Sequence, residues 1–202
     1  MQALLATAYF GPIQWYQKLY RYEHVSVERY DSYRKQTFRN RCVIATSNGL
    51  QTLTVPVVRG ETSWVKDIRI SDHGNWRHLH WHALLSAYSE SPFFEYYADD
   101  IRPFFEKHWD YLYDFNMDIC CTVCELLDIH PQLQPTDDYI PHGQLAGTAD
   151  FRDAIDPKHP AEDSDFMVRP YYQVYGQKHG FQSNLSILDL LFNMGPEAIF
   201  YL

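Results

Sequence analysis

The sequence predicts an α/β or α+β protein, with a small mixed sheet flanked by helices in a single compact domain over residues 1–202. A chain of this length is most simply one domain. A buried apolar run over Leu4–Phe10 is followed by a Gly-Pro break and a helical pattern, as in many α/β folds. The pair Asn48-Gly49 lies between two β-rich runs and predicts a hairpin, so the sheet cannot be wholly parallel.

The first half of the chain carries most of the predicted strands. After the first strand, Pro12 is well placed in the first turn of a helix that continues to Leu19. Pro56 puts the second hairpin strand at a sheet edge or at its own end. Four further segments have the residue types of strands: His24–Glu28, Cys42–Ala45, Gln51–Val57 and Ile68–Ile70.

Helices dominate the second half. Apolar residues recur at helical spacing in three segments: Asn75–Leu85, Pro92–Lys107 and Asp110–Leu127. From about residue 130 to residue 165, prolines break the periodicity and acidic residues accumulate. This composition predicts a long acidic loop, which is either a lid over a site or a mobile insert. The segment Val168–Tyr175 then predicts an aromatic strand.

The most apolar helix is predicted over Gln182–Gly195. Its apolar residues cover most of the circumference, which is typical of a buried helix. Ser183 or Asn184 is the expected N-cap, and Gly195 followed by a proline is the expected end.

One carboxylate lies within this apolar helix. Asp189 shares a face with Ser186 and Asn193, three and four residues away. A carboxylate among apolar side chains is costly to bury unless it is paired or hydrogen-bonded. Asp189 therefore either anchors a partner inside the fold or faces a polar cavity.

The one dense basic run is R-K-Q-T-F-R-N-R over residues 34–41. Guanidinium groups such as those of Arg39 and Arg41 bind phosphate or carboxylate through two parallel hydrogen bonds. Gln36 and Asn40 add neutral hydrogen-bonding groups to the same run. The run is therefore either an anion-binding element or a solvated turn.

Three histidines follow at two-residue spacing. In a helix, His78 and His82 share a face and His80 points elsewhere. The H-E-x-x-H pattern of zinc hydrolases is absent, so no metal site is predicted. His80 is either a hydrogen-bonding or acid–base group or a packed side chain. The Cys121-x-x-Cys124 pair lacks a second ligand pair and is interpreted as core packing.

Composition limits the classes of function. A formal net charge of −9 argues against general nucleic-acid binding. No apolar run approaches the length of a membrane span. Three of the four cysteines lie within five residues of one predicted helix, which makes a disulfide framework unfavourable and favours a cytoplasmic location. Sixteen tyrosines favour a polar or sugar-like ligand.

Several blocks of sequence together resemble one family. They are Y-F-G-P-I-Q-W-Y (9–16), Y-R-K-Q-T-F-R-N-R (33–41), L-T-V-P-V (53–57), W-R-H-L-H-W (76–81), S-A-Y-S-E-S-P-F-F-E-Y-Y (86–97) and Y-Y-Q-V-Y…G-F-Q-S-N-L-S-I-L-D-L-L-F-N-M-G-P-E (171–197). The pattern is similar to the WbqC-like protein family of bacteria over nearly the whole chain, and it is weakest in the acidic loop.

The resemblance implies a role in surface-polysaccharide or O-antigen biosynthesis, with aminoacyl or acyl transfer, or work on a nucleotide-linked amino sugar, as the expected chemistry. Many relatives begin with H-Q-P-x-Y-x-P, whereas this chain reads T-A-Y-F-G-P over residues 7–12. The leading histidine is missing. If that histidine is catalytic in relatives, this chain needs a substitute or has a different activity.

Two hypotheses follow. The first is a transferase in which His80, or Asp189 acting through a neighbour, is the general base, and arginines of the basic run hold phosphate or carboxylate. The expected ligand-binding residues are Tyr9, Gln14, Gln36, Arg39, Asn40, Arg41, Trp81, Gln173, Asn184 and Ser186. The alternative is a non-catalytic protein that binds a small anion or a protein partner. Both hypotheses place Asn40, His80 and Asp189 around a shared hollow, and they leave the cofactor and oligomeric state open.

Overall fold

A four-stranded parallel sheet lies at the centre of the fold. The computed structural model describes residues 2–58, 60–143 and 147–202. The strand order is β7-β2-β1-β8, with every pairing parallel. The strands are β1 (Gln2–Ala6), β2 (His24–Glu28), β7 (Gln132–Pro135) and β8 (Thr148–Asp150).

The first strand is shorter than the apolar run that predicts it. The predicted strand reaches Phe10, but β1 ends at Ala6 and the chain then turns. The amide of Tyr9 donates to the carbonyl of Phe38 instead of to a neighbouring strand, and Phe10 adopts a positive φ of 40°. Helix α1 (Ile13–Arg21) follows and connects β1 to β2.

The predicted hairpin is confirmed, but it forms a sheet of its own. Strands β3 (Arg41–Thr46) and β4 (Gly49–Thr54) pair antiparallel, and Gly49 takes the positive φ that the turn requires. Strands β5 (Val57–Val58) and β6 (Arg69–Ile70) form a second antiparallel pair. The α/β class with a small hairpin and flanking helices is therefore confirmed.

The longer remaining helices follow the sequence pattern with one break, whereas the four-residue helix Gly176–His179 was not predicted. They are α2 (Trp76–Tyr88), α3 (Phe94–Ile101), α4 (Pro103–Glu106), α5 (Leu112–Leu126), α6 (Gly176–His179) and α7 (Ile187–Met194). Short 3₁₀ helices cover Val65–Asp67, His73–Asn75 and Gly195–Tyr201. The predicted helix over Pro92–Lys107 is divided because Pro103 has no amide hydrogen and begins α4 instead.

Two of the four parallel strands come from the segment that the sequence predicts as a loop. β7 and β8 lie within residues 130–165, of which residues 144–146 lie outside the described residues. The predicted strand over Val168–Tyr175 is wrong, because no strand of the described chain pairs with it. Side-chain hydrogen bonds hold the start of that segment instead: Gln17 bonds both the amide and the carbonyl of Met167, the residue before it, and Arg169 donates to the carbonyl of Phe200.

Helix α7 is buried as predicted, but its cap is a different residue. The hydroxyl of Ser186 accepts a hydrogen bond from the amide of Leu188 at 3.3 Å, so Ser186 is the N-cap and the predicted Ser183 or Asn184 is not. The helix stops at Gly195, whose φ is 56°. Helix α7 thus begins two or three residues later than the sequence pattern indicates.

Candidate functional site

The carboxyl ends of the four parallel strands meet at one edge of the sheet. The chain leaves β1 toward β2, whereas β8 lies on the opposite side of β1. The strand order therefore changes direction between β1 and β8. In open α/β sheets, ligands bind in the crevice outside the carboxyl ends of the strands at such a point.

A small cavity, here called the crevice, lies at this position. Its lining comes from the last residue of β1 and the two that follow it, residues after β8, one residue of α1 and two residues of the basic run: Ala6, Thr7, Ala8, Trp15, Phe38, Arg39, Phe151, Arg152 and Ile155. Its volume of about 10 Å³ is close to what one water molecule occupies. A larger ligand enters only if a wall of the crevice moves.

Arg39 is the cation of the crevice with unused hydrogen-bonding capacity. The residue is 3% exposed, and its Nη2 donates to Asp31 Oδ2 at 2.5 Å. Its Nε has no hydrogen-bond partner among the described residues. Burial lowers the pKa of Arg39 from its usual value, and Asp31 opposes that effect. A buried donor without an acceptor is costly, so an incoming anion that accepts from Nε would satisfy the free N–H group, whereas the charge of Arg39 is already paired with Asp31.

The second arginine of the crevice is already satisfied. Arg152 donates from Nε and Nη2 to the two carboxylate oxygens of Asp150, at 2.9 and 2.6 Å. Its Nη1 donates to the carbonyl of Ile140 at 2.7 Å and lies 3.4 Å from Glu28 Oε2. Arg152 and Glu28 have fully buried side chains. This pair therefore holds the carboxyl ends of β2 and β8 together.

The acidic segment after β8 closes over α1 and the basic run. Arg34 and Asp153 form an exposed ion pair at 2.8 Å, and Lys158 Nζ bonds Gln36 Oε1 nearby. Farther along, the Nζ of Lys18 and Oδ1 of Asp163 form a buried ion pair at 2.8 Å. Because residues 151–155 form one wall of the crevice, these contacts hold that wall in place.

Tyr9 and His80 form a separate buried cluster. The Tyr9 hydroxyl lies 2.9 Å from His80 Nδ1, and both side chains belong to the core. Burial lowers the pKa of His80 to about 4, with a hydrogen bond to the Thr54 backbone opposing the effect. Burial also raises the pKa of Tyr9. At neutral pH both groups are therefore uncharged.

Asp189 is enclosed by hydrogen-bond donors. Tyr88 and Tyr171 donate their hydroxyls to its two oxygens at 2.8 and 2.6 Å, and Gln173 Nε2 adds a bond at 3.0 Å. Burial raises the pKa of Asp189, and these hydrogen bonds oppose the effect. Of the two roles expected from sequence, the geometry corresponds to anchoring.

Gln14 and Asn184 complete the N-terminus of α1. The amide of Gln14 donates to Asn184 Oδ1 at 2.9 Å, and Asn184 Nδ2 donates to Gln14 Oε1 at 3.0 Å. Gln14 Nε2 also donates to Asp163 at 2.7 Å. Ser186 donates its hydroxyl to the carbonyl of Phe10 at 2.8 Å while it caps α7. All five hydrogen bonds join groups of the protein itself.

The other expected site residues are dispersed. Asn40 Nδ2 donates to the carbonyl of Val55 at 2.8 Å, and Gln36 is exposed. Arg41 begins β3, and its Nε has no hydrogen-bond partner within the described chain. Trp81 lines a different cavity, on α2.

The sequence predicts that Asn40, His80 and Asp189 surround a shared hollow, and the structure does not place them around one. Five surface cavities of the described part of the chain have none of Asn40, His80 or Asp189 in their linings. Asn40 Nδ2, His80 Nδ1 and the Asp189 carboxylate bond to different protein groups, and Asn40 Oδ1 has no hydrogen-bond partner among the described residues. Of the expected set, only Arg39 lines the crevice. Neither Arg152 nor Glu28 was predicted from the sequence as a site residue. Glu28 is the last residue of the short strand β2, and Arg152 follows β8, a strand that was not predicted.

The fold and the crevice define an α/β protein with a buried arginine at the carboxyl edge of its parallel sheet. The chain belongs to the WbqC-like protein family, whose model matches residues 7–159 and 156–201. It is 33% identical over 196 residues to the uncharacterized protein Rv1507c of Mycobacterium tuberculosis (strain ATCC 25618 / H37Rv), covering 84% of this chain and 83% of that protein. No solved structure matches the chain.

Two kinds of feature are absent from the described residues. None of their helices combines the length and the apolar character that crossing a bilayer requires. Nor does this part of the chain bring three or more His, Cys, Asp or Glu side chains together in an arrangement that could hold a metal ion.

Proposed function

We propose that the chain is a cytoplasmic transferase of bacterial surface-polysaccharide or O-antigen assembly, and that it binds a phosphate or carboxylate group of its substrate in the crevice. The substrate would be an acyl or aminoacyl donor or a nucleotide-linked sugar. The observation that carries the proposal is Arg39: a buried guanidinium with a free Nε at the carboxyl ends of β1 and β8. Membership in the WbqC-like family supports the biological setting.

The anion would bind to Arg39 through charge-assisted hydrogen bonds. Because the crevice holds about one water molecule, the wall at residues 151–155 would open for entry and close again afterwards. Closure would exclude water from the transferred group, which protects an activated donor from hydrolysis. The acidic segment, held by the Arg34–Asp153 pair, is the element that would move.

His80 and Asp189 receive positioning roles in this proposal. A histidine with a pKa of about 4 is a weak base for taking a proton from an amine or hydroxyl at neutral pH. Its contact with Tyr9 would instead fix the turn that begins at Thr7 and Ala8, two residues of the crevice lining. Asp189 would fix the aromatic side chains around α7.

A second function, a non-catalytic protein that binds a small anion, is favoured by one specific observation. The ionisable side chains that line the crevice are both arginines, Arg39 and Arg152. Arginine stays protonated at physiological pH and does not act as a general base there. A protein of this kind would need the anion site but no proton-transfer group.

Binding followed by turnover distinguishes the two functions. Thermal-shift measurements would use nucleotide sugars, acyl-coenzyme A thioesters and inorganic phosphate, and mass spectrometry would then detect products with amino-sugar acceptors. The transferase proposal expects stabilisation and product in the wild type, and loss of both in Arg39→Gln. Arg39→Lys keeps the charge but not the planar fork, so it should bind more weakly.

The matched control is Arg69→Gln, since Arg69 forms an exposed ion pair with Asp110 away from the crevice lining. Stabilisation that depends on Arg39 without any product would support the binding protein. Stabilisation that both variants retain would contradict both functions as they are placed here.

A further inference from the structure

A groove of about 700 Å³ runs along α2 and α4, and it shares no lining residue with the crevice. Its size lies within the range of roughly 300–1,000 Å³ that is typical of small-ligand sites. Aromatic and charged side chains line it together, among them Asp72, Arg77, Trp81, Arg102, Phe105 and Glu106. The proposed function assigns nothing to this groove.

The apolar part of the groove is an aromatic platform that consists of the half-buried ring of Trp81 and the ring of Phe105, a residue that is 6% exposed. The ring centroids of Trp81 and Phe105 lie 5.8 Å apart, and Trp81 also packs against Phe94 at 6.0 Å. Phe105 is held in turn by Phe10, at 6.0 Å in a stacked arrangement. Rings that are fixed in this way bury apolar ligand surface with little loss of side-chain entropy.

The charged groups of the groove compensate one another. Arg77 Nη1 donates to Asp72 Oδ1 at 2.5 Å, and Arg102 Nε donates to Glu106 Oε1 at 2.6 Å. These two cations and two anions give the groove a formal charge of zero with neutral histidines. A strongly charged ligand would have to compete with one partner of a pair and leave the other uncompensated.

Hydrogen-bonding capacity remains around the platform. The Arg77 guanidinium lies 4.8 Å from the Trp76 ring centroid, and its Nε and Nη2 are buried atoms without a hydrogen-bond partner in the described chain. The exposed rings of His78 and His82 lie side by side, with centroids 4.1 Å apart. Each neutral imidazole offers one donor and one acceptor.

We propose that this groove binds a neutral carbohydrate. A sugar hydroxyl both donates and accepts, so it can bond a carboxylate and a guanidinium together without separating their ion pair. The C–H face of a sugar ring supplies the apolar surface that an aromatic platform buries. The groove and the crevice have no lining residue in common, so saccharide binding in the groove is tested separately from anion binding in the crevice.

The test follows the indole N–H signals of the five tryptophans by NMR. The probes are glucose, galactose, mannose and N-acetylglucosamine with their linear disaccharides and trisaccharides, and UMP and inorganic phosphate serve as anionic probes. The Trp81 signal, identified with Trp81→Phe, is expected to shift saturably with at least one neutral saccharide. Neither anion is expected to shift it at the same concentration.

Variants make the result specific to the groove. Trp81→Ala is expected to weaken saccharide binding at least tenfold, and the exposed Arg102→Gln severalfold. Trp64→Ala is the control, because Trp64 is 42% exposed and lies outside the groove lining. Because Arg102→Gln removes only an exposed side chain, it tests the site even if Trp81→Ala fails to fold.

Three outcomes would overturn the inference. They are the absence of saturable shifts with every neutral saccharide, a Trp81 shift produced by the anions in place of the saccharides, and equal weakening by Trp64→Ala and Arg102→Gln.

Discussion

The hydroxyl of Tyr9 lies 2.9 Å from Nδ1 of His80, and this contact joins the turn after β1 to helix α2 inside the core. The two residues are 71 positions apart in the chain. Burial lowers the pKa of His80 to about 4, so the pair is neutral at physiological pH. Its contribution to stability should therefore depend on pH.

We expect His80 to destabilise the native state as the pH falls from 6.5 toward 4. The unfolded chain takes up a proton at the ordinary pKa of 6.5, whereas the folded chain resists protonation until about pH 4. The stabilisation is thus fully present above pH 6.5 and is lost on acidification, by about 3 kcal/mol in total. Denaturant unfolding of the wild type and of His80→Gln between pH 4 and pH 6.5 tests this predicted loss of stability. A free-energy difference that stays constant with pH would contradict it.

Asp189 should show the opposite dependence. Its folded-state pKa is raised by burial, so its contribution is fully present below the ordinary value of 3.8 and is lost as the pH rises through the folded pKa. Asp189→Asn keeps the shape and removes the titration. We expect the stability advantage of the wild type over this variant to shrink between pH 4 and pH 7. An advantage that grows over that interval in urea unfolding would refute the argument.

The Lys18–Asp163 pair should hold the acidic segment against α1. Both side chains are almost fully buried, so Lys18→Met leaves a carboxylate without its partner and should cost about 3–5 kcal/mol. The double variant Lys18→Met/Asp163→Leu should recover much of that loss. Hydrogen exchange is expected to rise at Asp165 and Met167 in Lys18→Met. Unchanged protection at those amides would show that the pair does not hold the segment.

Gly195 and Gly180 form a matched pair for testing backbone strain. Both have positive φ values, 56° and 72°, so alanine is strained at either position. A Cβ at Gly195 would meet the Phe93 ring at 2.5 Å, whereas a Cβ at Gly180 meets nothing within 4 Å. We expect Gly180→Ala to cost about 1 kcal/mol and Gly195→Ala clearly more. Equal losses in unfolding experiments would contradict the packing argument.

Much of the fold can be predicted from the sequence, because in those segments the local sequence pattern and the tertiary contacts favour the same structure. The Asn48-Gly49 turn, the start of α1 and the apolar helix α7 all match their patterns. The strands β7 and β8 were not predicted, because they are short, polar and embedded in an acidic Pro-rich segment. Their place in the sheet depends on pairing with distant strands.

The candidate site was predictable in part for the same reason. Arg39 was expected to bind an anion from its residue type and its run, and it does line the crevice. Asn184 looked like a cap for its own helix, but it completes the N-terminus of α1, 170 residues away. The sequence around an asparagine does not indicate which distant backbone amide will donate a hydrogen bond to its carboxamide oxygen. The prediction of a shared hollow is wrong because Asn40, His80 and Asp189 each form hydrogen bonds to different groups of the protein.

Anion binding in the crevice depends on Arg39, whose Nε–H group has no protein partner among the described residues. NMR detection of the Arg39 Nε–H signal during titration with inorganic phosphate and with UDP-glucose tests this claim directly. We predict that this signal shifts saturably with at least one of the two, and that the Nε–H signal of Arg69 does not. An Arg39 signal that stays fixed at saturating concentrations of both anions would contradict the claim.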